Sequence, residues 1–117
     1  MRILLVDDEP SLLQLLGQYL TRAGHVVIDA NSCRSAMALL QKGPGHLDAA
    51  VIDLDLPDGS GEDIVRAVLD LDPNIRTIMA TGYFYEPPQE LRDRLAVLHK
   101  PYLPRALVAL LLSPAPL

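Results

Sequence analysis

The sequence lacks tryptophan and contains one cysteine, one phenylalanine and four tyrosines among its 117 residues. With Cys33 alone, neither an internal disulfide nor a multi-cysteine zinc site can form. Lysine and arginine total 10 against 15 aspartates and glutamates, so the net charge is −5. This acidic balance, together with so few aromatic side chains for base stacking, argues against direct binding of nucleic acid.

Long hydrophobic runs are also missing. The longest uninterrupted apolar run, Ala106–Leu112, has seven residues, whereas a membrane-spanning helix needs roughly 20. Residues 1–6 lead into Asp7, Asp8 and Glu9 without the apolar region or cleavage site of a secretory signal. We therefore expect no membrane association and a cytoplasmic location, which the single cysteine also favours.

The composition that remains is that of one folded domain. Hydrophobic residues make up 50% of the chain and charged residues 21%, which excludes intrinsic disorder. The length fits a single hydrophobic core. We expect one domain at residues 1–112, followed by a tail or the start of a linker at residues 113–117.

Short strand patterns alternate with longer helical patterns along the whole chain. Such alternation predicts a parallel sheet, and right-handed crossovers leave few arrangements for five β-α units. We expect an α/β fold with a doubly wound five-stranded parallel sheet, (βα)5 and flavodoxin-like, in the strand order 2-1-3-4-5. The predicted strands cover residues 2–6, 26–30, 49–52, 76–80 and 97–99, and the predicted helices about 10–23, 35–42, 60–71, 87–96 and 104–112.

Polar side chains follow four of these strands, at the edge where ligands bind in this architecture. Each has a structural alternative: a carboxylate can cap a helix, a threonine can bond its local backbone, and a lysine can be solvated. Polar side chains with unrelated structural roles would seldom all occur at one topological switch point, so we expect a functional site there. Its members are Asp7 and Asp8 after the first strand, Asp53 after the third, Thr81 after the fourth and Lys100 after the fifth.

The chemistry of this set indicates phosphoryl transfer. Three clustered carboxylates repel one another unless a cation intervenes, and their hard oxygen atoms suit Mg²⁺. Asp53 follows an apolar central strand, where burying its charge is costly. Nothing in turn chemistry requires an aspartate at this position. Asp53 could act as a nucleophile that forms an aspartyl phosphate, with Lys100 and Thr81 stabilising the phosphoryl oxygens.

Four sequence blocks resemble the receiver domain of two-component response regulators, and the resemblance covers essentially the whole chain. It implies that Asp53 accepts a phosphoryl group from a phosphohistidine on a sensor histidine kinase or a histidine phosphotransfer protein. The chain would then be a signalling phosphoacceptor and not a turnover enzyme. The blocks are LVDDEP at residues 5–10, VIDLDLPDGSG at 51–61, ATG at 80–82 and HKP at 99–101.

The same resemblance implies roles for individual residues. Mg²⁺ would be bound by Asp7, Asp8, Asp53 and the backbone carbonyl of Asp55. Thr81 and Lys100 would contact the phosphoryl group, and the Lys100–Pro101 peptide bond would be cis. Two positions depart from the family pattern: Val97 replaces the usual aromatic residue three positions before the lysine, and Leu103 replaces a capping Ser or Asp before the last helix.

The last predicted helix carries apolar side chains around its whole circumference from Ala106 to Leu112. Packing one face on the sheet leaves apolar groups outward, so either neighbouring segments cover them or they form an interface. We expect an interface: the fourth predicted helix, the fifth strand and the last helix would bind a second copy or a partner domain.

Two other functions compete with phosphoryl acceptance. The Asp53-Leu54-Asp55 sequence resembles the nucleophile motif of haloacid-dehalogenase-type phosphatases, but in that family the nucleophile follows the first strand and the acidic pair comes last. A pseudo-receiver that binds partners without phosphorylation is the second alternative, although it has no need for Asp53, Thr81 and Lys100 together.

Overall fold

The computed structural model describes residues 1–113. Five parallel strands form the central sheet in the order β2-β1-β3-β4-β5, which confirms the predicted doubly wound sheet. Apart from Ser113, the predicted tail at residues 113–117 lies outside the described residues. The strands are β1 Arg2–Val6, β2 Val26–Ala30, β3 Ala49–Asp53, β4 Arg76–Thr81 and β5 Ala96–His99.

Four helices connect and follow these strands, and each begins at a sequence feature that favours a helix start. A proline at the first position of α1 and of α4 fixes the backbone where no N–H is needed. The hydroxyls of Ser32 and Ser60 accept backbone N–H groups at the starts of α2 and α3. The helices are α1 Pro10–Arg22, α2 Cys33–Lys42, α3 Gly61–Leu71 and α4 Pro104–Leu112.

The prediction of a helix between β4 and β5 was wrong, so four helices, and not five, accompany the sheet in residues 1–113. Residues 89–94 form turns instead. The Leu91 N–H donates to the Pro88 carbonyl, and the Arg94 N–H donates to the Leu91 carbonyl, both three residues back. Two adjacent prolines supply no N–H, and the short stretch after them buries only Leu91, which is too little to offset the cost of nucleating a helix.

Helices cover both faces of the sheet, as the strand patterns require. Leu4 and Val6 of β1 pack in a cluster with residues of α2 and α3, whereas Ile3 and Leu5 pack with residues of α1 and α4. All five residues of β3 are buried, because this central strand is covered on both sides. The packed faces leave the carboxyl-terminal edge of the sheet open to the connecting loops.

The last helix, α4, is confirmed at the predicted bounds and buries part of its apolar surface. Leu107 and Leu111 are buried in the core, while the side chain of Leu112 is 63% exposed. Leu103 precedes the helix without capping it through its side chain, as expected of a residue with no polar group. Among the described residues, no helix combines the length and apolar composition that a membrane crossing requires.

Candidate functional site

The carboxyl ends of β1 and β3 bring three aspartates together. One carboxylate oxygen from each of Asp7, Asp8 and Asp53 lies within 4.8 Å of the other two. Asp7 is only 3% exposed and Asp53 only 6%, whereas Asp8 is exposed. Because β1 and β3 are neighbours in the sheet, residues that are 46 positions apart in the chain meet at one edge.

Helix capping does not account for these carboxylates. The residue that precedes α1 is Glu9, and no side chain caps the helix. Asp7 accepts the N–H of Glu9 at 2.9 Å through Oδ1, which leaves its second oxygen for other partners. The structural alternative for Asp8, a cap on α1, is therefore wrong.

Lys100 places a positive charge among the aspartates. Its Nζ lies 2.7 Å from Oδ2 of Asp7 and 3.3 Å from Oδ2 of Asp53. The backbone N–H of Lys100 donates to the carbonyl of Thr81 at 2.8 Å, so the end of β4 holds the lysine loop in place. The Lys100–Pro101 peptide bond is cis, as the family resemblance implies.

The environment raises the pKa values of both Asp53 and Lys100, but for different reasons. Burial raises the pKa of Asp53 to about 6; the charge of Lys100 opposes this rise and the charge of Asp7 adds to it. For Lys100, burial acts to lower the pKa, but the hydrogen bond to Asp7 and the two negative charges outweigh it and raise the pKa. The site thus holds a firmly protonated lysine beside a carboxylate whose negative charge is costly, and a bound cation would reduce that cost.

Thr81 ends β4 at the same edge and is fully buried. In the sheet register Asp53 lies opposite Ala80, so Thr81 stands one position beyond the aspartate. Its hydroxyl accepts the N–H of Tyr83 at 3.1 Å, which is the local backbone bond expected from the structural alternative. In this conformation Thr81 is beside the acidic cluster but bonded to its own loop.

A short hairpin follows Asp53 and carries Asp55. Residues Asp55–Leu56 pair antiparallel with Gly59–Ser60. The N–H of Asp55 donates to Oδ1 of Asp53 at 3.3 Å, so the start of the hairpin contacts the acidic cluster directly. This places the backbone of Asp55, the predicted fourth ligand position, next to the carboxylate of Asp53.

Gly61 is a site residue whose role the sequence motif did not explain. A Cβ atom at this position would collide with the backbone carbonyl oxygen of Asp53. The N–H of Gly61 also donates to the carbonyl of Leu54 at 2.7 Å, closing the base of the hairpin. A glycine at the end of an aspartate-containing loop was the available signal, but the close approach of two backbones is visible only in the fold.

Val97, at the position where the family usually has an aromatic residue, lies in β5 opposite Met79 and is partly buried. An aromatic contact that the sequence did not predict lies elsewhere. The Tyr85 hydroxyl donates to Oε2 of Glu62 at 2.6 Å, and burial followed by this hydrogen bond raises the pKa of Tyr85. The contact joins the segment after β4 to the first turn of α3.

Comparisons with known proteins agree with this geometry. The response regulator receiver domain family matches residues 3–111. The photosynthetic apparatus regulatory protein RegA of Cereibacter sphaeroides is 36% identical over 81 residues, which are 69% of this chain and 43% of RegA. The response regulator receiver protein CpdR of Brucella abortus is 29% identical over 110 residues, which are 92% of this chain and 90% of CpdR.

Solved structures of response regulator receiver domains are also similar to this chain. A CheY-like response regulator receiver domain protein from Methanospirillum hungatei superimposes with a TM-score of 0.79 at 30% identity, covering 92% of this chain and 87% of that one. The chain therefore spans nearly all of a receiver structure, but less than half the length of RegA.

Proposed function

Because the chain belongs to the response regulator receiver domain family of two-component signalling, we propose that Asp53 accepts a phosphoryl group from a phosphohistidine. The donor would be a sensor histidine kinase or a histidine phosphotransfer protein. The observation that carries this proposal is the placement of Asp53: a buried carboxylate that shares one ammonium group with Asp7. Burial makes the negative charge of this carboxylate costly, which is characteristic of groups with a chemical function.

The transfer is a nucleophilic substitution at phosphorus. A carboxylate oxygen of Asp53 forms the new O–P bond while the P–N bond of the donor breaks, and the electron pair of that bond returns to the imidazole nitrogen. Lys100 supplies a positive charge for the phosphoryl oxygens from its position 3.3 Å from Asp53. Thr81 offers a hydroxyl donor one position beyond the aspartate, once it gives up its own donation to the Tyr83 carbonyl, which is 3.4 Å away.

The donor set suits Mg²⁺. Three carboxylates with oxygen atoms within 4.8 Å of one another provide hard oxygen ligands, and two of the three residues are buried. Asp7, Asp8, Asp53 and the backbone carbonyl of Asp55 would hold the ion. When bound, Mg²⁺ would offset negative charge on the phosphoryl oxygens.

The expected result of phosphorylation is a change in a protein-interaction surface and not the release of a product. We place that surface on β5, α4 and the turn at residues 89–94, which stands where the fourth helix was predicted. Leu112 exposes an apolar side chain there. The partner is a second copy of the chain or a partner domain, in the cytoplasm and without direct contact to nucleic acid or membrane.

Phosphorylation in vitro tests the proposal. With acetyl phosphate and Mg²⁺, the chain is expected to gain one hydroxylamine-labile phosphoryl group by intact-mass measurement. Asp53→Asn is expected to gain none, whereas Asp70→Asn, which changes an exposed carboxylate on α3, serves as the matched control and is labelled like the parent. Equal labelling of Asp53→Asn and parent contradicts the assignment, and sustained turnover of a phosphomonoester would favour the phosphatase alternative.

A further inference from the structure

Asp58, at the tip of the hairpin after Asp53, binds the amino terminus of another helix. Its Oδ1 accepts the N–H of Cys33 at 2.8 Å, and its Oδ2 accepts the N–H of Arg34 at 2.9 Å. These are the first two residues of α2, whose N–H groups have no partner within the helix. The two hydrogen bonds hold the pKa of Asp58 below its usual range, as expected for a carboxylate at a helix amino terminus.

A second contact secures the same attachment. The Sγ atom of Cys33 lies 3.5 Å from the carbonyl of Ser60, in the returning strand of the hairpin. A Cβ on Gly59 would lie 3.0 Å from that sulfur, so the hairpin backbone packs directly on the first residue of α2. Helix α2 thus contacts the hairpin at its tip and along its returning strand.

The base of the hairpin is anchored on the other side. The Leu54 N–H donates to the carbonyl of Ala80 at 2.9 Å, and the Leu54 carbonyl accepts the N–H of Gly61 at 2.7 Å. Between this base and the tip lies Asp55, whose backbone carbonyl is the ligand proposed for Mg²⁺. With both ends held, the position of that carbonyl is restricted before any ion arrives.

We propose that Asp58 is a positioning residue of the phosphorylation site, which holds the Asp55 carbonyl in place by binding the hairpin to α2. The inference rests on the function proposed above and assigns Asp58 no contact with the metal or the phosphoryl group. In this arrangement α2 supports the metal site structurally, because the Asp58 side chain of the hairpin caps its amino terminus.

The test compares three substitutions in the full chain. Asp58→Ala removes both hydrogen bonds, and Asp58→Asn keeps one acceptor oxygen while removing the same charge. Ser32→Ala removes the other cap of α2, the hydroxyl that accepts the Ser35 N–H at 3.0 Å, without touching the hairpin. Ser32→Ala is therefore the control for a general weakening of α2.

Two readouts separate positioning from stability. In the metal-free protein, backbone hydrogen exchange at residues 55–60 is expected to accelerate in Asp58→Ala and to stay unchanged in Ser32→Ala. The Mg²⁺ concentration for half-maximal phosphorylation by acetyl phosphate is expected to rise about tenfold in Asp58→Ala, with the rate at saturating Mg²⁺ near that of the parent. Asp58→Asn is expected to lie between Asp58→Ala and the parent.

The contrary outcomes are distinct. If Asp58→Ala matches the parent in hairpin exchange or in Mg²⁺ requirement, the inference is overturned while the proposed function stands. If Asp58→Ala and Ser32→Ala have equal effects on the two readouts, the cause is a loss of α2 stability. If Asp58→Ala and Asp58→Asn have equal effects, the cause is the lost charge. Either result overturns the inference. A parent that neither responds to Mg²⁺ nor accepts a phosphoryl group refutes the proposed function, and the inference fails with it.

Discussion

Lys100 and Asp7 form the shortest ion pair among the described residues, 2.7 Å from Nζ to Oδ2, although they are 93 positions apart in the chain. The lysine extends from the loop after β5, the edge strand, past the ends of β4 and β3 to the aspartate after β1. It contacts Asp53 less closely, at 3.3 Å. One ammonium group thus balances two buried carboxylates.

Removing this ammonium is expected to destabilise the metal-free protein. In Lys100→Met the three aspartates lose their nearest positive charge, and because the lysine side chain is only 24% exposed, we expect the free energy of unfolding to fall by about 2 kcal/mol. Mg²⁺ is expected to recover most of this loss. Urea unfolding with and without Mg²⁺ measures both effects, and Lys42→Met, an exposed lysine at the end of α2, is the control. Equal stability of Lys100→Met and parent without Mg²⁺ would show that the pair contributes nothing.

The raised pKa of Asp53 predicts a pH dependence of stability. An aspartate with an ordinary pKa near 4 when unfolded and about 6 when folded binds its proton more tightly in the native state. Its contribution is therefore present below about pH 4 and is lost as the pH rises through 6, a change of about 3 kcal/mol in total. Asp53→Asn removes this contribution, so between pH 4 and 7.5 the free energy of unfolding of the metal-free parent is expected to fall by most of that amount relative to the variant. Parallel pH profiles contradict the shift.

Gly61 is expected to tolerate no side chain. Alanine there would push its Cβ against the backbone carbonyl oxygen of Asp53, so we expect Gly61→Ala to cost about 1–3 kcal/mol and to slow phosphorylation by displacing the aspartate. Gly17→Ala is the matched control, because a Cβ at Gly17 in α1 meets nothing within 4 Å and alanine favours a helix. Denaturant unfolding and acetyl phosphate labelling report the two effects. Wild-type labelling of Gly61→Ala would mean that the loop adjusts without moving Asp53.

Tyr83 is expected to protect the acyl phosphate from water. It lies two residues beyond Thr81, to whose hydroxyl its N–H donates, and its side chain is 71% exposed. Tyr83→Ala is expected to shorten the lifetime of the phosphorylated protein in the presence of Mg²⁺. Phe84→Ala removes the neighbouring aromatic ring, which is 87% exposed, and serves as the control. An unchanged or longer decay for Tyr83→Ala is evidence against shielding.

The exposed end of α4 is expected to mediate association. Leu112 is 63% exposed, so Leu112→Glu leaves the core intact and is expected to abolish self-association in sedimentation experiments before and after phosphorylation. Val108 is partly buried against the second core cluster, so Val108→Glu is the less discriminating variant. A parent that is monomeric in both states, with Leu112→Glu folded and equally soluble, refutes an interface between two copies of the chain.

Most of the fold was predictable because the local pattern of apolar residues along the chain indicates which side chains are buried. The apolar run at residues 49–52 predicted a central strand, and β3 is buried along its whole length. The helix predicted at 87–96 is absent because the residues that follow Pro87 and Pro88 bury only one leucine. A proline pair is compatible with a helix start or a turn, and the choice depends on packing that a local pattern does not contain.

The sequence by itself determined which residues meet at one edge. Parallel strands align their carboxyl ends, so strand ends followed by Asp7, Asp53, Thr81 and Lys100 had to converge. Only the tertiary structure decided which atoms pair: that Lys100 lies closer to Asp7 than to Asp53, that Thr81 bonds to its own loop, and that Asp58 caps a helix 24 residues earlier in the chain. The physical reason is that strand periodicity is a local property, whereas these contacts depend on the exact packing of segments far apart in sequence.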